Sequence, residues 1–306
     1  MFVSIISPIY QAELLVEELV TQIIPVLRAY GCEFEILLVE DGSNDDSWAA
    51  VQKISLKNEC VTGIKLSRNF GQHQAVTAGI QYAQGDYIVV IDCDLQDSPS
   101  SIVQLLDKAK ENFDVVFTKR EKRNHGLLKS FLSWLYNRIF GIIAGGDYSI
   151  DFNSLVLMSK KAAGAYLELK DQDRLYIQLL KWVGFNTATI FVPHRKRGVG
   201  SSTYSFTQLF GIAIQAWTFH SDRLLKFSIF GGFLLSGASF FGSLIIVVLY
   251  FVHGFQPGWP SLFLVILFST GLILLSIGVT GIYIGKIFIQ VKSRPLFIVE
   301  ETTNKD

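Results

Sequence analysis

Short apolar runs alternate with longer amphipathic segments over the first 120 residues of the chain. The runs rich in β-branched and aromatic residues predict strands at 2–7, 35–39, 61–66, 87–91 and 114–118. The segments between them predict helices at 13–30, 46–56, 74–84 and 100–111. Strands and helices in this order predict an α/β fold, with a mostly parallel, doubly wound sheet and helices on both of its faces.

The C-terminal part of the chain contains a long uncharged stretch, because no Asp, Glu, Lys or Arg occurs from Phe227 to Gly285. A helix needs about 20 apolar residues to cross a hydrocarbon core about 30 Å thick. The stretch therefore predicts two transmembrane helices, near 227–252 and 261–285, joined by a tight hairpin at 253–260. Two buried helices of a soluble core are the alternative, but a soluble domain seldom keeps so long a stretch uncharged.

Positive charges on both sides of this stretch set its expected orientation. Arg223 and Lys226 precede the first span. Lys286, Lys292 and Arg294 follow the second span, and the hairpin has no Lys or Arg. By the positive-inside rule, both ends face the cytoplasm. The N-terminal run resembles a strand and not a secretory signal, so we expect a multi-pass protein of the inner (plasma) membrane with a cytoplasmic α/β domain.

The overall composition agrees with a soluble domain joined to membrane segments, since half of the residues are hydrophobic and the formal net charge is zero. No nucleic-acid partner is expected. The cysteines lack metal-like spacing and predict reduced thiols in the cytoplasm: Cys32, Cys60 and Cys93. Small residues in the second span are compatible with a homo-oligomer, because they let helices approach closely: Gly278, Gly281 and Gly285.

A basic segment at 119–138 precedes an apolar, aromatic run at 131–143 that overlaps its end. This run and a second one, Phe206–His220, predict helices that lie in the membrane interface, although either pattern also suits a helix packed on the core. The expected organisation is an α/β domain at 1–205, an interfacial amphipathic helix at 206–226, the transmembrane hairpin at 227–285 and a cytoplasmic tail at 286–306.

Three acids follow the apolar strand predicted at 87–91: Asp92, Asp94 and Asp97. Open α/β sheets bind ligands at the carboxyl ends of their strands. Clustered carboxylate and amide oxygens at that edge suit a hard cation such as Mg²⁺ or Mn²⁺, which can neutralise a diphosphate leaving group. An isolated Asp-x-Asp is also common in solvated turns, so the interpretation depends on the other strand ends.

Polar signatures follow four predicted strands in chain order: Pro8-x-Tyr10-x-x-Glu13, Glu40-Asp41-Gly42-Ser43, Arg68-Asn69-Phe70-Gly71-Gln72 and Asp92-x-Asp94-x-Gln96-Asp97. As a set, they resemble family 2 of the glycosyltransferases, which has the Rossmann-like GT-A fold. Within that family the chain looks most like the polyprenyl-phosphate glycosyltransferases, the dolichol-phosphate mannose synthase group and its bacterial relatives that act on bactoprenol. The resemblance covers essentially residues 3–290, including the two C-terminal membrane helices.

The resemblance implies roles for the residues at these strand ends. Contacts to a uridine-type nucleotide sugar carry over to Pro8, Tyr10, Glu13, Glu40, Asp41, Arg68, Asp92, Ser202 and Tyr204. The metal ligands carry over to Asp92, Asp94 and Gln96, with Asp94 as the principal ligand. Asp41-Gly42-Ser43 also reads as an ordinary turn with a helix N-cap at Ser43 or Asn44, which is compatible with the same role.

Basic residues downstream are implied to hold the donor diphosphate and the acceptor lipid phosphate. Arg120 and Arg123 follow a predicted strand end, and their alternative is a solvated basic face that touches anionic lipid. Arg197 begins a segment that resembles the family's Arg-x-x-Gly-x-Ser-Lys-Tyr loop. Thr203 replaces the frequent Lys of that loop, so one expected cation is missing.

The expected acceptor region departs from its relatives in one place. Asp151-Phe-Asn stands where relatives often read Asp-Phe-Arg, which makes Asp151 a weak acceptor-site candidate. Asp173 is favoured instead, because it lies where relatives carry an acidic residue and an Arg near the acceptor. The implied catalytic set is Asp94, Arg120, Arg123, Asp173 and Arg197.

The resemblance implies a membrane-bound, inverting, metal-dependent transferase. It would move a hexosyl group from a nucleotide diphosphate sugar, a UDP-sugar by preference, to polyprenyl (undecaprenyl) phosphate. One alternative is a transferase that acts on a glycan, but those enzymes carry a Gln-x-x-Arg-Trp motif that this chain lacks. The other alternative is a non-catalytic membrane adaptor, which the intact Asp92, Asp94, Gln96 and Arg197 argue against.

Overall fold

The computed structural model describes residues 1–120, 152–172, 174–192 and 258–303, together with scattered positions between 225 and 252. The strands in these parts of the chain are β1 (Phe2–Ile9), β2 (Glu33–Glu40), β3 (Val61–Leu66), β4 (Tyr87–Val90), β5 (Val115–Arg120), β6 (Phe152–Ser159), β7 (Thr187–Val192) and β8 (Val299–Thr302). The helices are α1 (Val16–Tyr30), α2 (Ser47–Lys57), α3 (Gln72–Tyr82), α4 (Ser101–Ala109), α5 (Lys160–Glu168), α6 (Tyr176–Trp182) and α7 (Trp259–Lys292).

The described strands form one mixed sheet in the order β7-β5-β6-β4-β1-β2-β3-β8. The pairs β1–β2, β2–β3, β1–β4 and β5–β7 are parallel, as predicted for an α/β fold. Two strands run the other way: β6 is antiparallel to both β4 and β5, and β8 is antiparallel to β3. The prediction of a mostly parallel sheet thus holds for the first four strands, whereas the sheet as a whole is mixed.

Helices cover both faces of the sheet, as the sequence predicts. One face packs against α1, α2 and α4, and the other packs against α3, α5 and α6. Neighbouring residues of β1 alternate between the two clusters, with Ile5 on the first and Ile6 on the second. Strands that are buried on both faces have near-continuous apolar sequences, which is the pattern seen in β1, β2 and β4.

The helix α1 shows how the sequence determines which face of a helix packs against the sheet. Its buried side chains recur three or four residues apart and form one apolar stripe: Val16, Leu19, Val20, Ile23, Ile24 and Leu27. Gly31 ends the helix in the left-handed conformation, with φ of 76°, and its N–H donates to the carbonyls of Leu27 and Arg28. The chain then enters β2 beside β1.

The chain divides into two compact units. The first comprises Met1–His125, Ser149–Ser202 and Arg294–Asp306, and contains the sheet; the second comprises Gly126–Tyr148 and Thr203–Ser293. Within the second unit, α7 is 34 residues long. Its segment Phe268–Lys292 is the one described helix that is long and apolar enough to cross a membrane, with no part of that window buried.

The membrane predictions are therefore supported only in part. The span predicted at 261–285 lies inside α7, which continues to Lys292. The span predicted at 227–252 lies mostly outside the described residues, so the second transmembrane helix is not established. The interfacial helices predicted at 131–143 and 206–226 also lie outside the described residues, apart from Leu225.

The C-terminal segment returns to the sheet, which the sequence did not predict. Beyond Arg294 the chain belongs to the first unit, and β8 pairs with the edge strand β3. The N–H of Thr303 donates to the carbonyl of Gly63 at 3.0 Å, and the N–H of Gly63 donates to Oγ1 of Thr303 at 2.8 Å. The segment predicted as a cytoplasmic tail thus supplies the strand next to β3.

Candidate active site

The carboxyl ends of β1, β2 and β4 meet at one edge of the sheet. The parallel register pairs Ile9 of β1 with Glu40 of β2, and Ile6 of β1 with Val90 of β4. The turns after β1 and β2 therefore begin at the same level, and β4 ends at the level of Ile6, at the same edge of the sheet. Open α/β sheets bind ligands at this edge. The structure brings these predicted residues to that edge: Pro8, Tyr10, Glu13, Glu40, Asp41, Arg68, Asp92, Asp94 and Gln96.

The turn after β1 presents two predicted residues to solvent. Tyr10 is 44% exposed, and Glu13 is exposed while its Oε2 accepts from the N–H of Asp46 at 3.2 Å. The N–H of Gln11 donates to Oγ of Ser43 at 3.0 Å, which ties this turn to the turn after β2. An exposed phenol ring in a fixed turn is suited to stacking on a planar ligand.

The acidic pair after β2 faces inward. Asp41 accepts from the N–H of Phe70 at 2.7 Å through Oδ1 and from the N–H of Gly71 at 2.8 Å through Oδ2. Burial raises the pKa of the Asp41 carboxyl, and these two hydrogen bonds oppose that effect. Glu40 is also buried and accepts from the N–H of Ser43. Both carboxylates therefore organise the backbone around the site.

The loop after β3 lies directly against Gly42. This residue has φ of +62°, and a Cβ on it would lie 2.3 Å from the carbonyl carbon of Arg68. The guanidinium of Arg68 lies 4.1 Å from the centroid of the Phe70 ring and donates to the carbonyl of Asn69 at 3.0 Å. Glycine is thus required here for two reasons, the left-handed backbone and the close approach of a second chain segment.

Asp92 follows β4 and is bound by two side chains from distant parts of the sequence. Its Oδ1 accepts from Nε2 of Gln72 at 2.8 Å, and its Oδ2 accepts from Oγ of Ser154. Burial, together with the negative charges of Asp94 and Asp97, raises the pKa of Asp92 to about 6, against the opposing effect of the hydrogen bond from Ser154. Ionising Asp92 in the absence of a cation is therefore costly.

The loop after Asp92 is folded tightly around Asp94. Oδ1 of Asp94 accepts from the N–H of Gln96 at 3.2 Å, and Leu95 between them has φ of 57°. Asp97 is 3% exposed, and its Oδ1 accepts from Nδ2 of Asn153. The carboxylates of this loop are held close enough to affect one another electrostatically.

The chemistry of these oxygens fits a divalent cation that is shared with a substrate. In the described part of the chain, no three His, Cys, Asp or Glu side chains form a group that holds a metal by itself. Mg²⁺ usually binds through one or two carboxylates together with substrate phosphates, and Mn²⁺ accepts the same oxygen ligands. Asp92 and Asp94 would supply such a pair, and a cation there would offset their mutual repulsion.

Only part of the predicted phosphate-binding set is described. Arg120 ends β5, and Lys119 beside it pairs with Phe152 of β6. Because β6 is antiparallel to both β4 and β5, the latter two run the same way, and the backbone of Arg120 lies at the same edge as Asp92. The other two predicted phosphate-binding residues, Arg123 and Arg197, lie outside the described residues. The same is true of three further predicted site residues: Asp173, Ser202 and Tyr204.

Two residues that touch Asp92 were not among the predicted site residues. Gln72 belongs to the motif after β3, but the sequence gives no sign that its amide reaches across to the end of β4. Ser154 is the third residue of β6 and directly precedes the apolar run of that strand. Predicting its position would require knowing that β6 inserts antiparallel beside β4, which brings the start of β6 to the carboxyl end of β4.

Comparisons with known proteins identify a family and several relatives of this chain. The profile of Glycosyl transferase family 2 matches residues 4–166. The uncharacterised glycosyltransferase YkcC of Bacillus subtilis is 34% identical over 98% of this chain and 93% of its own. The undecaprenyl-phosphate 4-deoxy-4-formamido-L-arabinose transferase of Shewanella sediminis is 31% identical over 98% of this chain and 92% of its own.

Solved structures share the fold. Glucosyl-3-phosphoglycerate synthase from Mycobacterium tuberculosis, in complex with Mn²⁺, UDP and glucosyl-3-phosphoglycerate, superposes with a TM-score of 0.51 at 15% identity, over 70% of this chain and 77% of that one. The predicted GT-A-like α/β fold is thereby confirmed for the first unit. With its sequence matched by the family profile over residues 4–166 and by relatives along nearly its whole length, the chain belongs to Glycosyl transferase family 2.

Proposed function

We propose that this protein transfers a hexosyl group from a UDP-sugar to polyprenyl phosphate at a membrane surface, with inversion at the anomeric carbon. The observation that carries the proposal is the similarity to the undecaprenyl-phosphate transferase of Shewanella sediminis. That similarity extends over 98% of this chain, including α7, and is not limited to the α/β domain. A polyprenyl phosphate acceptor explains why a sugar-transferring domain is joined to a long apolar helix.

The donor nucleotide would bind over the ends of β1, β2 and β3. The exposed ring of Tyr10 is suited to the base, and the exposed carboxylate of Glu13 can accept from a ribose hydroxyl. Asp41 would act through the loop that it holds, by keeping Arg68 beside the base. UDP in the structurally similar glucosyl-3-phosphoglycerate synthase supports a uridine donor. Pro8, Glu40, Ser202 and Tyr204 complete the proposed nucleotide-sugar set.

The donor diphosphate would lie against the loop after β4. Asp92 and Asp94, with Gln96 nearby, would hold Mg²⁺ or Mn²⁺ together with the phosphates. When bound, this cation would supply positive charge to the departing diphosphate. Arg120, Arg123 and Arg197 are proposed to bind the phosphates directly, since guanidinium groups match the geometry of phosphate oxygens.

The acceptor needs orientation more than activation. A phosphate monoester has a second pKa of about 6, so its oxygen is already a nucleophile at neutral pH and requires no strong general base. The protein's contribution would then be to align the lipid phosphate with the anomeric carbon and to exclude water. Asp173 is the proposed acceptor-side residue, in the segment that precedes α6.

The sheet topology supports an even number of membrane crossings. The strands β7 and β8 belong to the same sheet and therefore lie on the same side of a membrane. If Phe268–Lys292 crosses the membrane, a second crossing is required between β7 and β8, and 227–252 is the apolar segment available for it. We therefore propose the four-region organisation predicted from the sequence, with the sheet cytoplasmic and its last strand supplied by the tail.

A transfer assay with purified full-length protein tests the proposal. The protein in detergent is incubated with undecaprenyl phosphate, Mg²⁺ or Mn²⁺ and each member of a panel of radiolabelled UDP- and GDP-sugars, and label is measured in the organic phase. We expect label in the lipid from one UDP-sugar, and none after addition of EDTA. Label from a GDP-sugar would overturn the donor assignment. No lipid label from any donor, in a preparation that binds UDP, would overturn the acceptor assignment.

A further inference from the structure

Two side chains from separate elements donate hydrogen bonds to the carboxylate of Asp92. Gln72 is the first residue of α3, and Ser154 lies in β6, 62 positions along the chain from Asp92. Gln72 donates to Oδ1 and Ser154 donates to Oδ2, so the two hydrogen bonds together fix the orientation of the carboxylate. A carboxylate has about four acceptor sites, so each oxygen keeps a lone pair that faces elsewhere.

Each of the two donors is itself held in place. Gly71, which precedes Gln72, donates its N–H to Asp41 at 2.8 Å, so the start of α3 is anchored to the turn after β2. The carbonyl of Ser154 accepts from the hydroxyl of Tyr176 at 2.5 Å, and Tyr176 is 1% exposed. The orientation of Asp92 is thus linked to the donor-side loop at one oxygen and to α6 at the other.

The chemical type of the two donors is informative. An amide and a hydroxyl orient a carboxylate without cancelling its negative charge, whereas a Lys or Arg would form an ion pair and compete with a divalent cation. Near Asp92 the described neighbours add further negative charge, from Asp94 and Asp97. Neutral donors therefore keep the loop ready for a cation while fixing the direction of one of its ligands.

We propose that Gln72 and Ser154 are positioning residues that orient Asp92 for the divalent cation and the donor diphosphate. This inference rests on the proposed function, because it requires a metal-dependent donor site. Groups that orient a metal ligand through a hydrogen bond usually change metal affinity by about 10- to 100-fold when they are removed. We expect a change of that order for each of the two residues.

The test measures Mn²⁺ binding to the full-length protein in the presence of UDP, by the electron paramagnetic resonance signal of free Mn²⁺. Ser154→Ala and Gln72→Met each remove one donor, and both should raise the apparent Kd at least about tenfold. Ser154→Thr keeps the hydroxyl and should restore binding. Gln72 is exposed, so Gln72→Met still tests the inference if Ser154→Ala, a change within β6, folds poorly.

Matched controls separate positioning from general damage. Thr118→Val removes a buried hydroxyl that donates to the carbonyl of Leu155 at 2.7 Å, beside Ser154, but does not touch Asp92. Gln52→Met removes an amide that donates to Glu301 of β8, which is an edge strand of the sheet. Both controls should bind Mn²⁺ within twofold of the unsubstituted protein, a margin of about 0.4 kcal/mol.

A double substitution tests whether Ser154 acts through Asp92. In an Asp92→Asn background, Ser154→Ala should cause little further loss of Mn²⁺ affinity, because coupled residues are not additive. Unchanged Mn²⁺ binding in Ser154→Ala and Gln72→Met, or an equal loss in Thr118→Val, would overturn the inference while leaving the proposed function intact. If the unsubstituted protein bound UDP but no Mn²⁺, the proposed metal-dependent function would fail, and the inference with it.

Discussion

Asp41 follows β2 and Asp92 follows β4 at the same edge of the sheet, but their carboxylates accept hydrogen bonds from different kinds of donor. Asp41 accepts from two backbone N–H groups, those of Phe70 and Gly71, whereas Asp92 accepts from the side chains of Gln72 and Ser154. A backbone N–H can only donate, so it always needs an acceptor. A serine hydroxyl can donate or accept and can turn to suit its partner.

This difference separates a structural requirement from a chemical one. Removing the carboxylate of Asp41 would leave two backbone donors of the donor-side loop without their acceptors. Removing the charge of Asp92 would leave partners that can adapt, and it would relieve a repulsion among the acids of its loop. We infer that Asp41 serves mainly the fold of the loop, and that Asp92 is kept for a charge that the fold alone does not need.

The largest expected effect comes from the acids beside Asp92. Asp94→Ala should lower transfer by at least about 1,000-fold, because it removes a carboxylate that would hold the cation at the diphosphate. The measurement is label transfer to lipid at saturating Mn²⁺. Ser98→Ala is the control, since the Ser98 hydroxyl pairs with Ser100 in the same segment, and it should remain active. Substantial metal-dependent turnover by Asp94→Ala would contradict the assignment of the acids after β4 to cation binding.

Gly42→Ala should damage the donor side next most strongly. Its Cβ would lie 2.3 Å from the carbonyl carbon of Arg68, so the loop held by Asp41 must move. We expect the KM for the nucleotide sugar to rise at least tenfold, about 1.4 kcal/mol. In α5, a methyl group added at Gly164 would meet nothing within 4 Å, so Gly164→Ala should leave the KM unchanged and raise helix stability by about 0.5–1 kcal/mol. Equal KM values for the two variants would show that the loop does not serve the donor.

Conservative substitutions of the two acids test the comparison directly. Asp41→Asn places an amide group against a backbone N–H and should lower the free energy of unfolding by about 2 kcal/mol. Asp92→Asn should not lower it, because the new amide can donate to the Ser154 hydroxyl while its oxygen still accepts from Gln72. Denaturant unfolding of the metal-free protein in detergent, followed by tryptophan fluorescence, measures both. Equal losses in the two variants would contradict the distinction.

Much of this edge was predictable from the sequence, because strand ends are visible as apolar runs that stop at polar residues. The runs at 2–7, 35–39, 61–66 and 87–91 correspond to β1, β2, β3 and β4 within a few residues. Parallel pairing then places their carboxyl ends together. The positions of Asp41, Asp92 and Asp94 at one edge follow from these two facts alone.

The partners of those acids were not predictable in the same way. Which side chain reaches Asp92 depends on the insertion of β6 between β4 and β5, and no local pattern encodes a pairing between strands so far apart in the sequence. The same holds for β8, a four-residue strand whose pairing with β3 depends on contacts made across more than 230 positions. Long-range pairing of short strands is the part of a fold that propensity and periodicity describe least well.

The pH dependence of stability gives a finer test of Asp92. Its pKa is raised from 3.8 to about 6 in the folded protein, so the folded state binds more protons than the unfolded state between these values. Stability from this group is therefore fully present below about pH 4 and is lost as the pH rises through 6. The metal-free protein should lose unfolding free energy across this window, and Asp92→Asn should reduce that slope. An identical pH profile in the variant would exclude Asp92 as its source.

The smallest expected effect concerns β8, the edge strand that pairs with β3. Thr303→Val removes the acceptor for the N–H of Gly63, a buried residue of β3, and should cost about 1 kcal/mol of unfolding free energy. Glu301→Ala removes only exposed contacts to Trp48 and Gln52 and should cost less than about 0.5 kcal/mol. A loss in Thr303→Val with an unchanged transfer rate would make β8 a structural support. A raised KM for the nucleotide sugar would extend the donor side to the C-terminal tail, since β3 leads directly into the loop that Asp41 holds.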